Sequence, residues 1–75
     1  MGRTKKQVTR RAEPNPGILE AIEKAEGQHQ LAKMMGVRQP AVSYWLHVAC
    51  PIERAIEIEE MLGVSRRKIC PEVYA

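Results

Sequence analysis

The sequence predicts an all-α fold, a compact bundle of about five short helices. Three observations carry this expectation. Apolar residues recur every three or four positions, as one face of a helix requires. No stretch shows the two-residue alternation of a half-buried strand. Gly and Pro stand where helices of ordinary length start and stop. At 75 residues the chain makes one small domain. A domain of about 60 residues removes only ~60% of its unfolded surface on folding, which excludes large barrels and multi-domain enzymes.

Asn15-Pro16-Gly17 opens the folded part. Asn is a good N-cap, and Pro is preorganised for the first helical position. Ile18, Leu19, Ile22 and Ala25 follow at helical spacing, so the first helix runs from Pro16 to about Glu26 and Gly27 ends it. The second runs from about Gln28 to Met35 on the stripe Leu31, Ala32, Met35, with Gly36 suited to a left-handed turn after it. The third begins near Gln39 and ends at about His47. Pro40 is tolerated in its first turn, where the amide has no intrahelical partner. Cys50 and Pro51 start the fourth, with Ile52, Ala55, Ile56 and Leu62 on one face and Gly63 as its stop. Ser65 caps a last short helix over Arg66 to Ile69, which Pro71 halts. Val73 and Tyr74 are placed to fold back onto the body.

The chain carries a net charge of +3, unevenly placed. Arg3, Lys5, Lys6, Arg10 and Arg11 lie in the first 13 residues against Glu13 alone, while the remainder is close to neutral. Residues 1–14 therefore read as a basic, flexible N-terminal arm and residues 15–75 as the folded domain. With Val8 as its single interior aliphatic residue, the arm has nothing to build a core from. Two readings of it compete: a solvated tail, or an arm that binds phosphates or enters a DNA groove.

No run of 18 apolar residues exists, so no transmembrane helix is expected, and no apolar signal segment lies near the start. A soluble cytoplasmic protein is the expectation. Cys50 and Cys70 are too few for a disulfide scaffold and read as reduced thiols. His29 and His47 fit no ligand spacing, so neither a metal nor any other cofactor is expected. No nucleophile stands beside a base, and no enzyme or small-molecule substrate is implied.

The informative stretch is Gln28 to His47. Ala32, Gly36 and Val42 are spaced as in a helix-turn-helix. Ala32 is small where two helices approach closely, Gly36 permits the tight turn, and Val42 with Leu31 fills the inside of the corner. At 100° per residue, Ala41, Val42, Trp45 and Leu46 fall on one side of the third helix. By this phase Trp45 belongs to the core. Gln39, Pro40, Ser43, Tyr44 and His47 fall on the opposite side, which is polar and free of acids. Gln pairs bidentately with adenine, Ser bonds many bases, and Tyr and His reach phosphates or stack on apolar base edges. Arg38, just before the helix, is placed to pair with guanine or hold a phosphate. Residues 28–47 contain Lys33 and Arg38 and no carboxylate.

GQHQLAKMMGVRQPAVSYWL followed by PIERAIEIEEMLGVSRRKICPEVY resembles the Cro/YdaS-type family of small phage and prophage helix-turn-helix repressors and antitoxins. The likeness covers roughly residues 18–74. It implies a lambda-repressor-like domain whose second motif helix enters the major groove of operator DNA, often as a dimer. By position it implies that Gln39, Pro40, Ser43 and Tyr44 face bases, with Arg38 and His47 at the edges, and that Gln28 touches a phosphate. Arg38 stands where relatives often have a Ser or Thr cap, which weakens the helix start by ~1 kcal/mol.

In the fourth helix Ile58 and Met61 widen the apolar arc, and Glu59 lies within it, needing a Lys or Arg partner. Ile58 and Met61 either pack against the fifth helix or form a dimer seam with Val64, Ile69 or Val73. The expected function is a sequence-specific repressor binding double-stranded, palindromic operator DNA as a homodimer. Base reading would fall to Arg38, Gln39, Pro40, Ser43 and Tyr44. Phosphate contacts would fall to Gln28, Lys33, His47 and the five basic residues of the arm. The rival is an antitoxin-type protein whose main role is to bind a partner protein. A small nuclease is the remote third, since the acid-free face offers no metal site.

Overall fold

The computed structural model describes residues 11–74, and all regular structure among them is helical. Six helices follow one another: α1 Pro16–Ala25, α2 Gln28–Met35, α3 Gln39–His47, α4 Ile52–Leu62, α5 Arg66–Ile69 and α6 Pro71–Tyr74. None is long and apolar enough to cross a membrane. Arg3, Lys5, Lys6 and Arg10 lie outside the described residues.

The start of α1 is held by Asn15. Its side-chain oxygen accepts from the backbone N–H of Gly17 at 2.9 Å and of Ile18 at 3.2 Å. Its amide nitrogen donates to the carbonyl of Ile69 at 2.8 Å, and its backbone N–H donates to the carbonyl of Leu46, also at 2.8 Å. One buried Asn thus joins the start of α1 to the ends of α3 and α5. The end of α1 falls one residue earlier than the glycine suggests: Glu26 itself takes the left-handed conformation, φ 70°. Its cap is closed by Gly27 N–H donating to Ile22 O at 2.8 Å.

The turn between α2 and α3 forms as the spacing predicts. Gly36 has φ 70°, and Val37 N–H donates to Ala32 O at 3.0 Å, closing the C-terminus of α2. Leu31, Ala32 and Val42 are buried inside the corner, and Trp45 is a core residue. The Arg54 guanidinium lies over its ring, 5.9 Å from the centroid.

Pro51 sits on the other side of its boundary from the expectation, whereas α5 stops ahead of Pro71 as expected but a sixth helix follows. Pro51 is not inside α4 but caps it, with extended backbone, and its carbonyl accepts from Arg54 and Ala55 N–H. Cys50, just before it, is pushed toward extended geometry by the proline ring. Pro71 does not end the chain's helices but begins α6, where its fixed φ suits a first helical position. The buried stripe of α4 also differs. Ala55 and Ile58 are fully buried, whereas Ile52 is 41% exposed, because the helix turns Ala55, Ile58 and Leu62 toward the body and leaves its first residue on the flank.

Of the five residues expected at a dimer seam, Ile58, Val64 and Ile69 are buried in the core and have no surface to offer. Met61 and Val73 remain exposed, so Val73 does not fold back onto the body. Glu59 is half-buried and pairs with Arg66, as a carboxylate in that arc requires.

Candidate functional site

The site is built on the outward side of α2 and α3. Val42, Trp45 and Leu46 turn into the core and fix the phase of α3. That leaves Gln39, Pro40 and Tyr44 exposed, with Ser43 and His47 half-buried at the edges. Tyr44 keeps 48% of its surface in solvent. Arg38 and Lys33 are exposed as well, and neither forms an ion pair with a described residue.

Gln28, Gln39, Pro40 and Ser43 line one shallow, open depression. Gln28 is the first residue of α2 and Gln39 the first of α3, so both helix starts open onto the same surface. Neither start has a side-chain cap: Gly27 precedes α2, and Arg38 precedes α3. Uncapped first-turn N–H groups and the positive end of the helix dipole favour an anion there. The two amides and the hydroxyl make no hydrogen bond to a described residue, leaving them free for a ligand. Arg38, Tyr44, His47 and Lys33 do not line the depression; they lie around it or on the free side of α2.

Electrostatics favour the same side. From residue 27 to residue 52 the sequence has no Asp or Glu. Of the exposed acids, Glu23, Glu26, Glu53, Glu57 and Glu60 belong to the end of α1 and to α4, Glu13 precedes α1 and Glu72 is on α6. The basic run on α5 is engaged internally instead: Arg66 pairs with Glu59, and Lys68 with Glu20 at 2.6 Å. The Lys68 ammonium holds the Glu20 carboxyl below the ordinary carboxylate range. Lys24 joins this group at 3.6 Å from Glu20 and donates to the last-turn carbonyl of Leu62.

The two thiols are not reactive groups. Burial pushes Cys50 up to about 12 and raises Cys70, and the Cys70 thiol donates to the Cys50 carbonyl at 3.3 Å.

One part of the site has no signal in the sequence. Arg11 N–H donates to His47 O at 2.7 Å, and with the Asn15–Leu46 bond this lays residues 11–15 along the C-terminal carbonyls of α3. Arg11 itself is half-buried, its guanidinium donating to Glu13 O at 3.2 Å. These bonds join residues more than 30 apart, and no local pattern encodes them.

The family described as bacterial toxin YdaS matches residues 18–75. Comparison with curated proteins and with solved structures gives no match.

Proposed function

The chain belongs to the bacterial toxin YdaS family, and from that premise we propose that it binds double-stranded DNA sequence-specifically and represses transcription from the bound site. The observation that carries the reading is the depression where two uncapped helix starts meet two unpaired amides, inside an acid-free stretch. Placed in the major groove, α3 offers Gln39, Pro40 and Ser43 to base edges, with Arg38 and Tyr44 beside them. Gln28 and the first N–H groups of α2 meet a phosphate, and Lys33 and His47 supply further backbone contacts. A homodimer would set two such helices ~34 Å apart and read a palindrome.

The test is selection of bound duplexes from random DNA, followed by titration of variants. Gln39→Ala or Ser43→Ala is expected to cost ~1–3 kcal/mol on the selected site and much less on random duplex. Equal losses on both would refute base reading.

The second reading is a toxin- or antitoxin-type protein that acts by holding a partner protein. The family description favours it, as do Met61 and Val73, apolar side chains left in solvent. A stable complex with a co-purifying protein, together with no DNA shift at physiological salt, would establish it over the first.

A further inference from the structure

We infer that the face of α3 selects A·T base pairs at the centre of its site, an inference that rests on the DNA-binding reading and adds the base composition it prefers. The argument is an inventory of what the face can donate, accept and cover. In the major groove adenine offers an acceptor at N7 and a donor at N6, guanine two acceptors, cytosine a donor, and thymine an acceptor beside a methyl group.

An amide presents one donor and one acceptor side by side, which matches adenine and not guanine. The face of α3 offers the amide of Gln39, which no described residue uses; the Gln28 amide beside it belongs to α2 and is left to the phosphate. Cytosine is read by a carboxylate, and residues 27–52 have none. Guanine is read by the fork of an Arg or by a Lys. The face of α3 itself carries neither: Lys33 is on α2, and Arg38, which precedes the helix and has two candidate partners, guanine or a phosphate, is assigned the phosphate by this inference. The remaining exposed surface is apolar. Pro40 shows a ring with no N–H, and Tyr44 is an exposed aromatic residue. Apolar surface is what a thymine methyl meets favourably. Ser43 bonds either kind of pair and does not alter the balance.

The test uses the full chain and three altered duplexes. First, sequences enriched from random DNA should carry A·T pairs at the positions protected by α3. Second, exchanging one central A·T for G·C should weaken binding about 5- to 150-fold, the range for one bidentate contact. Third, 7-deazaadenine at that position, which removes only the N7 acceptor, should weaken binding of the wild type. It should have no effect on Gln39→Ala, a surface variant whose fold circular dichroism checks.

Uracil in place of a central thymine should also weaken binding, through loss of the methyl group. Selection of G·C pairs at the centre overturns the inference and leaves the DNA reading standing. So does A·T selection that ignores both 7-deazaadenine and uracil, which would assign the preference to groove shape. Failure of the full chain to bind any duplex at low salt overturns both.

Discussion

Asn15 shows how much one side chain can do at a helix start. Its oxygen caps α1 and its nitrogen satisfies the Ile69 carbonyl, while its own backbone reaches α3. Asn15→Ala loses a cap and leaves a buried carbonyl without its donor. The expected cost is about 2–4 kcal/mol, the sum of a typical cap and a typical orphaned buried group, read from the midpoint of urea unfolding at unchanged slope. Asn15→Asp keeps the acceptor but not the donor, and is expected to recover none of the Ile69 contribution. The cap was legible, since Asn before Pro announces a helix start. The second role was not, because Ile69 is 54 residues away in sequence. Gly17 is a parallel case. A Cβ there would come within 2.9 Å of the Ile69 backbone, so the glycine is fixed by the approach of α5 rather than by a turn.

At the scale of elements, α1, α2 and α3 follow from local rules, and the two prolines explain the later discrepancies. Proline marks a boundary reliably, but its fixed φ suits both the cap and the first helical position, so the side of the boundary is decided elsewhere. The phase of α4 depended likewise on what lies beneath it: the body accepts Ile58 and leaves Ile52 outside. The short α5 is docked by ion pairs as well as by Ile69, which gives it a distinct acid response. Glu20 titrates below its ordinary value of 4.5 because of Lys68. The stabilisation is therefore present above that pH and is lost as pH falls through the lowered value. Protection of the α5 amides, measured against intrinsic exchange rates at each pH, is expected to fall on acidification before that of α2 and α3. Lys68→Ala should weaken that pH dependence, leaving the smaller part that Lys24 supplies.

For the whole molecule, charge placement decides more than net charge. The acid-free stretch was readable directly from the sequence, and so was the outward face of α3, which repeats every 3.6 residues. The meeting of Gln28 with Ser43 was not, because it depends on the angle between α2 and α3. The basic run of α5 lies outside the proposed interface, and Glu59 and Glu20 pair with Arg66 and Lys68 from other helices. The thiols report on the integrity of the whole fold. Cys50 is neutral up to about 12, so the folded chain should resist iodoacetamide at pH 8 and label only as fast as it opens. Its contribution to stability is complete below the ordinary value of 9.0 and is lost as pH rises toward 12. Labelling of both thiols in the folded chain would show the interior to be open.

The bonds from Arg11 to His47 and from Asn15 to Leu46 have a practical corollary. They make the C-terminal end of α3 the point from which anything joined ahead of Arg11 departs. A purification tag or fusion protein at the N-terminus would therefore be joined, through the ten residues ahead of Arg11, to the end of the helix proposed to read bases. Its bulk would compete with a duplex for the same space, so affinities belong to the chain after its leader has been cleaved away.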